Sequence, residues 1–282
     1  MTTHLASHIK YRGRLAPSPT GHLHLGHART FWAAQQRALS QGGTLIFRNE
    51  DLDRSRCKPE FVSAMFDDLK WFGFDWQEGP DCGGQFGHYN QSERMSFYCA
   101  AFDQLRATGL IYPCTCSRKD IAASSHAPHA EEDDEPIYAG TCRENRESET
   151  VNRKFSWRFR VPDGEIVSFT DNNLGPQSFV AGKNFGDFVI WRHDDVPAYQ
   201  LACVVDDDAM QISEVVRGAD LLVSTARQIL LYRALGLRVP RFFHCPLMTD
   251  DAGIRLAKRH DSLSLRKLRE RGETPEMLRS NW

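Results

Sequence analysis

Apolar and polar positions change period along this chain, and each change marks an element. A short apolar run ending at Leu15 and Ala16 reads as a strand. Pro17, Ser18 and Pro19 continue neither strand nor helix, so the chain must turn there. Gly21 suits the positive φ of a tight turn, and Gly26 suits a close approach to the backbone. From His27 the spacing is helical, with Phe31, Ala34, Ala38 and Leu39 recurring on one face. The β-rich run 44–48 after Gly42 and Gly43 predicts a second strand. Further helices are predicted from Phe61 to Gly73, from Gln91 to Leu105 with a stop at Thr108 and Gly109, and from Ser224 to Leu235. Residues 154–161 and 166–170 alternate strongly around Pro162, Asp163 and Gly164, which predicts an antiparallel hairpin. Residues 187–192 return to strand, and 263–272 read as one short basic helix. The βα rhythm predicts an α/β fold of doubly wound type, interrupted by an inserted module. Its expected division is 1–110, 111–186 and 187–282.

Composition adds limits. The chain has 282 residues, 41% hydrophobic and 26% charged, which is ordinary for a globular protein with one main domain and an insertion. No apolar run is long enough to cross a membrane, and residues 1–10 lack the apolar core of a signal peptide. The eight cysteines are scattered, which points to a reducing cytoplasm. A net charge of −2 means that any nucleic-acid surface must be a local basic patch. A monomer without membrane association is expected.

Three places carry candidate chemistry. A strand, a turn and a helix N-terminus around His24 and His27 make an anion site, because free backbone N–H groups point at whatever sits there. The run 48–54 delivers Arg48, Glu50, Asp51, Asp53 and Arg54 to a strand end, where ligands lie in open α/β sheets. Cys114 and Cys116 supply two zinc ligands from one turn and Cys142 a third, with His126 and His129 as candidates for the fourth.

The string from Arg14 to Ala28, with His24-Leu25-Gly26-His27 inside it, resembles the HIGH motif of class I aminoacyl-tRNA synthetases in the form used by the glutamyl subgroup. The resemblance implies a Rossmann-type catalytic domain, with the module at 111–186 corresponding to a zinc-containing, acceptor-end-binding α+β insertion. It implies that ATP phosphates meet His24, Gly26 and His27, and that Mg²⁺ accompanies the ATP. L-Glutamate would meet Arg14, Ala16, Ser18, Glu50, Tyr199 and Arg217. Glu50 would hold the ammonium, with Leu52 standing where the family usually has threonine. Tyr199 and Arg217 fall in strings similar to the family's Pro-x-Tyr-x-x-Ala and Val-x-Arg-Gly-x-Asp-Leu. Residues 254–259 resemble the KMSKS loop, with Arg255 and Ala257 replacing its first lysine and a serine, and Lys258 kept as the lysine that stabilises departing pyrophosphate. His24, His27 and Lys258 are therefore the expected catalytic set.

About twenty residues follow that loop, fewer than the roughly 50 of a small domain. That shape resembles the glutamyl-queuosine tRNA(Asp) synthetase family, which glutamylates queuosine in the anticodon loop and in which Tyr138 would be the fourth zinc ligand. Queuosine-bearing tRNA(Asp), L-glutamate and ATP are the implied partners, with one structural zinc per chain. A ligase with a small-molecule acceptor and a non-catalytic binding paralogue stay open beside it.

Overall fold

A computed structural model describes residues 10–117, 119–121, 137–145, 154–248, 263–280 and 282. It divides into two compact units. The first takes its described residues from Met1–Glu93, Met210–Ala219 and Pro240–Trp282, and the second from Arg94–Ala209 and Asp220–Val239.

In the first unit β1 (Arg12–Leu15) pairs in parallel with β2 (Thr44–Phe47), joined by α1 (Leu25–Ser40). Leu15, Leu45, Ile46 and Phe47 are all buried, the near-continuous apolar run expected of parallel strands covered on both faces. Helix α2 (Pro59–Phe72) closes at Gly73, as its sequence indicates. The strands Glu214–Gly218 and Arg241–Cys245 also pair in parallel, and Ser213 N donates to Arg12 O beside β1. The tail differs from its expectation. Instead of one basic helix it forms Leu265–Glu270 and Pro275–Arg279, because Leu265, Leu268 and Leu278 enter the same core as Leu15 and Phe72. Leu265 N donates to Leu23 O at 2.8 Å, and Ser264 bridges His24, so the tail is bonded to the start of α1.

The second unit contains α3 (Met95–Ala107), the strands β3 (Ile111–Cys114), β4 (Ser156–Phe159), β5 (Ile166–Asp171), β6 (Gly175–Val180) and β7 (Phe188–Trp191), and the helices α4 (Tyr199–Ala209) and α5 (Leu222–Leu235). Arg94 donates to Asp206 at 2.6 Å with both side chains fully buried, and Tyr98 donates to the same carboxylate, fastening α3 to α4. The helices thus group with the strands of 111–186, and the units meet the chain at other positions than 110 and 186.

The expected hairpin between 154–161 and 166–170 does not form. β4 lies between β3 and β7, antiparallel to both, while β5 pairs with β6. The chain does turn at Pro162–Gly164, but Gly164 N then donates to Ala181 O, which commits the outgoing strand to β6. The true hairpin turn is 171–175. Asp171 Oδ1 accepts from the backbones of Asn173 and Leu174, and Gly175 takes φ 75° at the exit. Among the described residues no helix is long and apolar enough to cross a membrane.

Candidate functional site

The parallel ladder between β1 and β2 runs on beyond the strands. Arg48 N donates to Leu15 O at 2.8 Å and Glu50 N to Pro17 O at 3.0 Å. This places the turn holding Ala16 and Ser18 beside the acidic run, at the carboxyl edge where open α/β sheets take ligands. Ser18 is exposed and Ala16 half-buried.

The charges of that run have different surroundings. Glu50 is buried and accepts from the fully buried Arg48 at 3.0 Å. Asp51 accepts from Ser92 twice, at 2.8 and 2.7 Å, and Asn49 bonds Asn90, so residues 89–92 brace the strand end. Asp53 binds Ser55 and Arg56 in its own turn. Glu50 is therefore the carboxylate held in a low-dielectric setting with a cation beside it. Arg48 stands in the charge run read from the sequence, whereas the 89–92 brace leaves no local pattern, because it pairs with that run across some forty residues.

Two arginines lie nearby on the same unit. Arg14 is buried and donates to Val216 O at 3.0 Å, which brings it to the strand carrying Arg217. Arg217, also buried, donates through Nε to Nε2 of the buried His244 at 3.4 Å and lies over Phe242. The structure thus brings Arg14 and Arg217 to adjacent strands. Tyr199 opens α4 in the second unit and is 40% exposed. Lys258 lies outside the described residues, as do Arg255 and Ala257.

Helix α1 begins with His24 as its extended N-cap, and His27 Nδ1 accepts from His24 N at 3.3 Å. The two rings are 3.7 Å apart. A Cβ at residue 26 would sit 3.2 Å from the His24 ring, so the close neighbour that Gly26 admits is His24 itself. Gly21, in contrast, lies outside the left-handed region, and the turn there does not depend on its freedom. No acidic residue occupies the first turn of α1, leaving its positive end to the solvent-facing histidines.

In the second unit the sulfurs of Cys114, Cys116 and Cys142 all lie within 4.8 Å of one another. Tyr138 Oη is 3.4 Å from Cys114 Sγ and 3.6 Å from Cys116 Sγ, and it accepts from Cys142 N at 2.8 Å. Thiolates around a tetrahedral zinc, with bonds of about 2.3 Å, stand about 3.8 Å apart, so this donor set fits that ion with little rearrangement. His126 and His129 lie outside the described residues. Burial pushes the Cys116 thiol up to about 11. Burial also opposes ionisation of Cys142, but hydrogen bonds from Tyr138, the Thr115 backbone and the other thiols prevail and bring it down to about 7. The Tyr138 phenol is raised by burial and by its thiol neighbours.

The catalytic-domain model of class I tRNA synthetases (E and Q) matches residues 10–281. The chain belongs to this family. Among class I synthetases, a glutamyl-Q tRNA(Asp) synthetase from Symbiobacterium thermophilum is 50% identical over 269 residues, covering 94% of this chain and 83% of that protein. One from Nitratidesulfovibrio vulgaris is 47% identical over 266 residues, covering 93% and 82%. The crystal structure of glutamate-tRNA synthetase from Elizabethkingia anophelis matches with a TM-score of 0.78 at 31% identity, over 89% of this chain and 53% of that one. This chain spans about half the length of that solved protein. As a class I synthetase it is a ligase, and the strand-end cluster lies within the matched catalytic domain.

Proposed function

We propose that the protein activates L-glutamate with ATP and transfers the glutamyl group to queuosine in the anticodon loop of tRNA(Asp). The observation that carries this reading is the 50% and 47% identity, over nearly the whole chain, to two glutamyl-Q tRNA(Asp) synthetases.

In the first step the α-carboxylate of glutamate attacks the α-phosphorus of ATP in line, giving glutamyl-adenylate and pyrophosphate. No enzyme nucleophile is needed, since positioning and charge stabilisation carry the reaction. Glu50 holds the ammonium by a charge-assisted bond, and Arg14, Arg217 and Tyr199 serve the two carboxylates. Ala16 and Ser18 line the amino acid from the turn. His24, Gly26, His27 and the α1 N-terminus meet the phosphates, whose charge Mg²⁺ brought with the ATP would help to neutralise. Lys258 stabilises charge on the departing pyrophosphate. It stands six positions before Ser264, the residue that bridges His24. In the second step a hydroxyl of the queuosine cyclopentene ring attacks the adenylate carbonyl and AMP leaves. Cys114, Cys116, Tyr138 and Cys142 hold one structural zinc, which would fasten the 111–186 module without entering the reaction. The protein acts as a cytoplasmic monomer.

Lys258→Ala should cut adenylate formation about 100-fold or more, the scale of one lost transition-state charge contact. Unchanged glutamate-dependent pyrophosphate exchange would refute that role. The acceptor is tested by transferring labelled glutamate to bulk tRNA from cells that make queuosine and from cells that cannot. Labelling confined to the first pool, and stable to removal of the 3′ end, is expected. Equal labelling lost with the 3′ end would instead mean conventional aminoacylation.

A further inference from the structure

The thiol cluster has a buried cation against it. Arg158, in the central strand β4, is buried and donates from Nε to Cys114 Sγ at 3.2 Å. Its guanidinium carbon lies 4.2 Å from the centroid of the Tyr138 ring. A second nitrogen donates to Asp187 O at 3.0 Å, which fixes the plane of the group. One side chain therefore touches two of the four donors, each through the interaction suited to it: a charged N–H to a sulfur, and a planar cation over an aromatic face.

The position answers a charge problem. Three thiolates and one phenolate around a divalent cation leave a net charge of about −2 in a buried site, and such a charge is costly unless paired. The nearby Arg143 is committed elsewhere. It binds the Asp187 carboxylate at 2.7 and 2.8 Å and also pairs with Asp163. Tyr112 donates to the same Asp187 carboxylate. Among the described residues Arg158 is the cation left against the donors, and Pro113 and Trp157 are register partners that hold β3 and β4 together beside it.

We propose that Arg158 is the counter-cation of the metal site: it offsets the excess negative charge of the four-donor set and orients Cys114 and Tyr138 for binding. This rests on the reading that Cys114, Cys116, Tyr138 and Cys142 hold a metal. Partners outside the ligand shell typically change metal affinity by about 10–100-fold when removed.

The test uses the full chain, with zinc affinity measured by competition against a chromophoric chelator and with cobalt(II) substituted for spectroscopy. Arg158→Gln should weaken zinc binding by about 10–100-fold. It should also shift the thiolate-to-cobalt charge-transfer band to longer wavelength, because Cys114 loses a hydrogen bond that lowers its electron energy. Arg158→Lys keeps the charge but loses the planar stack and the fixed fork, so it should show a smaller loss and a smaller shift. A folded Gln variant with wild-type affinity and an unmoved band would overturn the proposal. If the Gln variant does not fold, Arg158→Met decides, since it too removes the charge, and wild-type affinity with an unmoved band there overturns the proposal equally. Wild-type protein that takes up no stoichiometric zinc or cobalt removes the underlying metal reading, and this proposal with it.

Discussion

In the first unit Glu50, Arg14 and Arg217 reach their places on the ends of three buried strands; Glu50 pairs with Arg48 two residues before it, while Arg14 and Arg217 find partners farther along the chain. In the second, Cys114 and Cys116 share one strand end, and Tyr138 and Cys142 share one short loop. The strand-end cluster holds its charges already paired, Glu50 with Arg48. The thiol cluster holds neutral or weakly acidic donors whose ionisation a cation would complete. A site made from paired charges is rigid before its ligand arrives, whereas a site made from thiols and a phenol gains part of its order from the ion. Substitution should therefore harm the first cluster mainly through function, and metal removal should harm the second mainly through stability.

The largest expected effect tests the first half of that contrast. Glu50→Gln keeps the shape but removes the charge that meets the ammonium and pairs with Arg48. A loss of roughly 2–5 kcal/mol is expected, about 30- to 5,000-fold in kcat/KM for glutamate-dependent pyrophosphate exchange. Wild-type exchange in a folded variant would remove Glu50 from the site.

Chelation tests the other half. Adding zinc at a thousandfold excess over its Kd should stabilise the chelated protein by about 4 kcal/mol, read as a raised melting midpoint. Glu50→Gln should leave this zinc-dependent rise intact. A midpoint indifferent to zinc would dissolve the contrast between the clusters.

A smaller effect is expected at the start of α1. Gly26→Ala places a Cβ 3.2 Å from the His24 ring, and a shift of a few tenths of an ångström in that ring should lower exchange about tenfold. Stability measured by urea unfolding should barely change. An unfolded protein would mean that the glycine serves the backbone and not the histidine.

The smallest effect concerns acid. Burial alone would raise the Glu78 carboxyl, but hydrogen bonds from Arg12 and Tyr89 outweigh it and hold the group below its ordinary 4.5. Its contribution to stability is therefore present above that value and is lost as pH falls through the lowered one. Glu78→Gln should flatten this part of the acid limb in denaturant midpoints taken below about pH 4.5. An unchanged slope would show that the carboxylate adds nothing there.

Much of this was visible in local patterns. The strand at 44–47, α2 with its terminal Gly73 and the helix from 222 to 235 follow from period and stop signals. The hairpin was misread because two turn signals lie nine residues apart, and strand pairing is decided by which neighbour completes the ladder. The turn residues 171–175 carried the better signal, an aspartate two and three positions before the amides it accepts from, with a glycine at the exit. The short tail looked basic because its three buried leucines are spread over two helices.

By itself the sequence determined which donors could act. The His24–His27 spacing at a helix start, the acid-rich strand end and the paired cysteines are short-range chemistry, readable because three or four residues suffice to state them. Only the tertiary structure decided what surrounds those donors. The 89–92 brace behind Asn49 and Asp51, Val216 and His244 holding Arg14 and Arg217, and Arg158 against Cys114 and Tyr138 all arise from segments meeting across the chain. The physical reason is that a charge acquires its strength from burial and from its partners, and both are properties of packing that no local run of residues contains.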